Sequence, residues 1–147
     1  MEPRITISQE GDKDSEAAIL SALKDYNINR FGPSDWQELV ISLRDDAGTV
    51  TGGLCGHTAR GWLYTRLLFI PETLRGQGLG SRLLAMAEDE ARKRGCIGAY
   101  IDTINPDALA IYQKCGYEIF GQIENFSDIG SLTYLKKSFV SSRKNHV

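Results

Sequence analysis

Only two histidines and three cysteines occur in the 147 residues, and Cys55, Cys96 and Cys115 show no CxxC spacing. That shortage excludes a Cys/His metal cluster, so no metal is expected. The odd number of thiols fits small buried side chains in a reducing compartment better than a disulfide framework. Charge of one sign is lacking too: 17 basic residues against 19 acidic ones leave a net charge of -2. No sequence-wide positive field exists to attract nucleic acid or an anionic membrane. No apolar run approaches the ~18 residues of a membrane span, and Glu2, Arg4, Glu10 and Asp12 interrupt the N-terminus where a signal peptide would need an apolar stretch. A cytoplasmic protein with neither nucleic acid nor membrane as partner is expected. Repeats and low-complexity tracts are absent, and the tail 141–147, with Arg143, Lys144 and His146, reads as a frayed, solvated end.

With 41% hydrophobic residues, the chain suits one globular domain over 1–147 that buries roughly 70% of its unfolded surface. Ile5 and Ile7 alternate with polar residues between Arg4 and Ser8, the period of a half-buried strand. Asp12 or Asp14 can cap a helix in which Ile19, Leu20, Leu23 and Tyr26 recur at helical spacing to about Asn27. Alternation resumes over Trp36 to Arg44, and Asp45-Asp46-Ala47-Gly48 has the chemistry of a hairpin turn before a strand from Thr49 to about Ala59. The run Trp62 to Ile70 is almost continuously apolar and reads as a central strand buried on both faces. Leu79, Leu83, Leu84, Ala87 and Ala91 make one helical face, with Glu88/Arg92, Asp89/Lys93 and Glu90/Arg94 as acid-before-base pairs one turn apart. A strand from Cys96 to Ile104 precedes Asn105-Pro106, an N-cap followed by proline in the first helical position, and that helix ends at Gly116. Two closing strands, 117–126 and 132–139, pair across Ser127 to Gly130. This order describes an α/β or α+β domain in three layers.

The sharpest chemistry lies at the strand-to-helix junction Arg75-Gly76-Gln77-Gly78-Leu79-Gly80-Ser81. Three glycines at alternate positions clear side chains from a run of backbone N–H groups at a helix start, a cradle for anionic phosphate that Arg75 can help neutralise. No G-x-x-x-x-G-K-[ST] occurs, and the dinucleotide spacing G-x-G-x-x-G would need glycine at Ser81 or at Leu83. A plain tight turn with close helix packing would use the same glycines.

Leu68-Phe69-Ile70-Pro71 followed by Arg75 to Ser81 resembles the coenzyme signature Q/R-x-x-G-x-G/A of the GCN5-related N-acetyltransferase (GNAT) superfamily. Asn105, Ala108, Tyr112, Gly116 and Tyr117 resemble its second signature, an N-x-x-A-x-x-x-Y helix ending in a G-F/Y step. The resemblance covers about 36–139. It implies a mixed sheet of about seven strands, splayed between the fourth and fifth, with helices on both faces and acetyl-coenzyme A in the gap. By that resemblance, backbone groups of Leu68, Phe69 and Ile70 bind pantetheine and the segment Arg75, Gly76, Gln77, Gly78, Leu79, Gly80 and Ser81 binds pyrophosphate. Asn105 reaches the pantetheine, and Tyr112 lies near the thioester sulfur. Each has a plainer role as well: Asn105 as an N-cap, Tyr112 as aromatic packing.

The implied reaction is acetyl transfer from acetyl-CoA to a primary amine by direct attack in a ternary complex. Tyr112 would donate a proton to sulfur. Some family members carry a glutamate five residues before the asparagine, where this chain has Tyr100; Asp102, on the same strand face, is the first candidate base, ahead of His57 and Glu72. A water relay without a side-chain base is an equal alternative. The missing glutamate also suggests a rival, a catalytically inactive acyl-CoA-binding sensor or interaction module. The resemblance leaves room for a homodimer and names no acceptor.

Overall fold

The computed structural model describes residues 1–140; the basic tail expected to fray, 141–147, lies outside the described residues. The chain divides into two compact units, Met1–Ser34 and a larger one beginning at Asp35. In the first, helix α1 (Lys13–Phe31) is capped by Asp12 rather than Asp14: the Asp12 carboxylate accepts from Ser15 N at 3.0 Å and from Ser15 Oγ at 2.6 Å. The helix continues past Asn27 until Gly32, whose N–H donates to Ile28 O at 2.8 Å. The expected strand at residues 4–8 is not formed, and Ile5 and Ile7 are 92% and 83% exposed. Two alternating isoleucines supply a strand's period but no ladder partner, and water serves an unpaired backbone equally well.

The sheet therefore has six strands instead of about seven. In chain order the larger unit runs β1 (Gln37–Arg44), β2 (Val50–Ala59), β3 (Trp62–Phe69), a short 3-10 turn (Glu72–Leu74), α2 (Leu79–Lys93), β4 (Gly98–Thr103), α3 (Pro106–Lys114), β5 (Glu118–Phe126) and β6 (Gly130–Ser138). Across the sheet the order is β1-β2-β3-β4-β6-β5, and only β3 and β4 are parallel, with α2 as their crossover. The β1–β2 hairpin is held by Asp45, whose carboxylate accepts from the N–H groups of Ala47 and Thr49, each at 2.9 Å.

One sheet face forms the core. Leu39, Leu54, Leu63, Ala99, Ile101 and Leu135 project from five strands and receive Leu83, Leu84, Ala87 and Ala91 of α2, all buried. The helical residues recur at intervals of three and four, which is the stripe that docks a helix on a sheet. Glu88 falls inside this stripe and departs from its expected surface pairing. It is 3% exposed and accepts hydrogen bonds from Tyr117 Oη at 2.9 Å and Lys137 Nζ at 2.7 Å. Arg92 turns instead to Asp89 at 3.1 Å, while Glu90 and Arg94 pair as expected, also at 3.1 Å. A carboxylate on a buried stripe must be paired, and Tyr117, just after α3, and Lys137 of β6 supply its donors.

The decisive irregularity lies in β3. Trp62 to Thr65 pair in parallel with Gly98 to Ile101, and no β4 partner follows. On the other edge, Gly56 opposes Thr65 while Cys55 opposes Leu67, so Arg66 is an extra residue, a β-bulge. The bulge breaks the alternation: Thr65 and Leu68 both pack toward the core, whereas Leu67 and Phe69 are 52% and 54% exposed. The expectation that the whole strand is buried on both faces thus fails over 66–69, because the strand has lost one neighbour there.

Gly56 sits opposite the bulge, and a Cβ on it would collide with the backbone carbonyl oxygen of Tyr64. Since that obstacle is backbone, Gly56→Ala is expected to destabilise the protein by about 2 kcal/mol and lower Tm by several degrees. Thermal unfolding followed by circular dichroism checks this; an unchanged Tm would mean that the strands can part around the bulge without cost.

Candidate active site

Every candidate site residue lies in the larger unit, around the carboxyl ends of the parallel strands β3 and β4, where open α/β sheets hold their ligands. Beyond Phe69 the chain passes through Pro71 and the 3-10 turn into the glycine loop. Gly76 and Gly78 have φ of 81° and 75°, and a Cβ on either would meet nothing within 4 Å. Backbone conformation, not crowding, calls for glycine here. Gly78 is the N-cap of α2 and offers no side-chain acceptor; the first helical bond runs from Arg82 N to Gly78 O at 3.0 Å. The amides of Leu79, Gly80 and Ser81 precede that bond and lack intrahelical acceptors. Asp12 caps α1 and Asn105 caps α3, so α2 alone of the three described helices begins without a side-chain cap. An uncapped helix start with its positive dipole end is an anion cradle.

Arg75 folds back on the strand. Its Nε donates to Ile70 O at 2.9 Å and its guanidinium lies 5.7 Å from the Phe69 ring centroid. The guanidinium retains further N–H groups for a phosphate, and Ile70 O retains a second lone pair. Gln77 is exposed, and Ser81 Oγ lies 3.4 Å from Cys115 Sγ, linking the start of α2 to the end of α3. Asn105 spends its side-chain oxygen on its own helix, accepting from Asp107 N at 2.9 Å. With Thr103, Leu109, Gln122 and Thr133 it also lines a hollow of about 230 Å³.

Asp102 is the first β4 residue beyond the last rung, on the sheet face opposite the core. Its Oδ1 accepts from Tyr64 Oη at 2.7 Å, and the Tyr64 ring stacks on Tyr100 with centroids 4.8 Å apart. Burial, then the hydrogen bond and charge of Asp102, pushes the Tyr64 hydroxyl up to about 12. Tyr112, 6% exposed, belongs to the core cluster. Burial and then the Asp102 charge push its hydroxyl up to about 12 as well, and no hydrogen-bond partner of that hydroxyl occurs among the described residues. A carboxylate whose charge helps keep a buried phenol protonated sets a group able to accept a proton beside one able to supply it.

The other candidate bases are engaged differently. His57 stacks on Trp36 at 5.2 Å and meets the edge of Tyr64 at 5.8 Å; burial, with help from the Arg66 charge, holds its pKa below the usual imidazole value. Glu72 is exposed at the start of the 3-10 turn. Tyr64 was hidden within an apolar run; its signal is its place two residues before Asp102 in the register of two parallel strands, legible only once those strands are paired. A cavity of about 600 Å³ between β1 and α2, lined by Leu39, Ile41, Met86, Glu90 and Arg94 among others, contains none of these groups.

Residues 8–117 match the model of the family described as the acetyltransferase (GNAT) family. An acetyltransferase of Agrobacterium fabrum is 55% identical over 133 residues, covering 90% of this chain and 97% of that protein. A crystal structure of an Agrobacterium tumefaciens protein described as an acetyltransferase superposes with a TM-score of 0.91 at 53% identity, covering 93% of this chain and all of that one. Blasticidin-S acetyltransferase of Streptomyces morookaense is 42% identical over 82 residues, covering 55% of this chain and 60% of its own length.

The buried phenols carry a pH dependence of known sign. A folded phenol whose pKa is about 12 keeps its proton where the unfolded chain, at about 10, has lost it. Stability is therefore intact below pH 10 and falls as pH rises from 10 toward 12. Urea unfolding at pH 8 and pH 11 should show the loss, and Tyr112→Phe should remove part of it. An alkaline loss identical in the variant would mean that the Tyr112 hydroxyl ionises freely in the folded protein.

Proposed function

The chain belongs to the acetyltransferase (GNAT) family, and from that premise we propose that it transfers the acetyl group of acetyl-coenzyme A directly onto a primary amine within a ternary complex. The observation that carries this reading is the open edge of β3 from Arg66 to Phe69, beside an uncapped glycine-rich helix start. Both fit the donor. A slender chain bearing amides can take up the hydrogen-bonding edge that β4 has vacated, and a pyrophosphate suits the amides from Gly76 to Ser81. The exposed Leu67 and Phe69 and the orphaned, buried Thr65 hydroxyl at the last rung are further unmet surface beside the gap.

The donor supplies an activated thioester; the protein's share is to orient, to polarise and to move protons. Backbone N–H groups on the open edge between Leu67 and Ile70 can donate to the carbonyl oxygen, and one such donor in a dry site contributes about 3 kcal/mol. A primary amine is mostly protonated near neutrality, with a pKa of about 10.4, so a proton must leave it before attack. Asp102 is assigned to hold the ammonium and accept that proton. Tyr112 is assigned to protonate sulfur; at about 12 it is a weak acid, so its proton moves only as charge builds on the leaving group. Asn105, with its oxygen committed to the cap, contributes its amide N–H to the pantetheine.

A thiol-release assay with blasticidin S, an aliphatic polyamine, a lysine peptide and a peptide with a free α-amine tests the reading. At least one should turn over. Tyr112→Phe should lower kcat about 100-fold, and Asp102→Asn about as much, with acetyl-CoA affinity by calorimetry unchanged. Tighter binding of ATP or a nicotinamide dinucleotide than of acetyl-CoA would sink the assignment. Tight acetyl-CoA binding with no turnover of any amine would identify a sensor instead.

A further inference from the structure

We infer that Tyr64 is a positioning residue of the transfer reaction: its hydroxyl anchors Oδ1 of Asp102 across the gap between β3 and β4, leaving Oδ2 aimed at the acceptor amine. The inference rests on the assignment of Asp102 as the proton acceptor. Three features carry it. The first is where the bond lies. Tyr64 pairs with Tyr100 and the last rung is Thr65 with Ile101, so the 2.7 Å bond to Asp102 reaches past the end of the ladder, on the face opposite the core. It is a side-chain rung placed where the backbone rungs stop.

The second feature is rigidity. The Tyr64 ring is stacked on Tyr100 at an interplanar angle of 22° and edged by His57, itself stacked on Trp36. A ring confined on two sides presents its hydroxyl at one point, so the carboxylate it holds loses little further freedom on binding substrate. The hydroxyl is a constant donor, because its ionisation is pushed up to about 12. The third feature is what Asp102 lacks. Among the described residues it makes no ion pair and its Oδ2 accepts no hydrogen bond, although the residue is partly buried. Glu88 is the contrast in the same fold: a structural carboxylate with a donor on each oxygen. Asp102 is held at one oxygen and open at the other, as a proton acceptor must be.

A simple clasp between the two strands would use the same bond, so the test separates the two roles. Tyr64→Phe keeps the stacked ring and removes only the donor. With the best acceptor of the amine panel, kcat should fall about tenfold while KM for acetyl-CoA stays unchanged. In the Asp102→Asn background the same substitution should cause no further loss, since Tyr64 acts only through that carboxylate. Rates are normalised to acetyl-CoA binding sites counted by calorimetry, so that partial unfolding cannot imitate the effect. An equal loss in both backgrounds would make Tyr64 a clasp and overturn the inference, as would an unchanged kcat in Tyr64→Phe. Full activity of Asp102→Asn would remove the proton acceptor itself, a failure of the underlying assignment visible without any Tyr64 variant.

Discussion

Backbone hydrogen bonding at β3 governs the rest of the molecule. A central strand ordinarily satisfies both edges, and this one does so only as far as Thr65. Arg66, inserted opposite β2, keeps that ladder in register on either side of the bulge, while β4 diverges and leaves the last four residues of β3 with one free edge. A free edge at the border of a sheet invites unwanted pairing, but one in the middle of a sheet is reachable only by something narrow and extended. The same divergence brings Asp102 to the mouth of the gap, and the bulge turns Leu67 and Phe69 outward.

Helix α2 meets a related demand. Its N-terminus is uncapped, which forfeits about 1 kcal/mol of the stabilisation a capping side chain would give and leaves the first amides open. The helix is secured further along instead. Leu83, Leu84, Ala87 and Ala91 bury its face, and Glu88 ties it to Tyr117 after α3 and to Lys137 on β6. The loop can therefore leave its amides open because the helix behind it does not depend on them. Burial also sets the acid–base character of the site, since Tyr64 and Tyr112 are held protonated chiefly by desolvation and then by the nearby Asp102 charge.

Much of the larger unit was legible in the sequence. Periodicity located β1, β2, α2, β4 and α3 to within a few residues, Asp45 to Gly48 marked a turn by its chemistry, and Asn105-Pro106 announced a helix start. These signals are local, so a single chain carries them whole. Local signals also misled where no partner honoured them. Ile5 and Ile7 alternate as a strand would and form none, and Glu88 stands one turn before Arg92 yet points into the core.

The amino-acid sequence by itself determined the family and the glycine-rich helix start, because spacing along one chain is enough to specify where backbone amides are bared and which residues follow on the next helix. Only the tertiary structure decided the bulge at Arg66, the outward turn of Leu67 and Phe69, and the meeting of Tyr64 with Asp102 across 38 residues of chain. The reason is physical: register and side-chain direction belong to pairs of strands, and no single strand contains the information about which rung its neighbour will be the last to share.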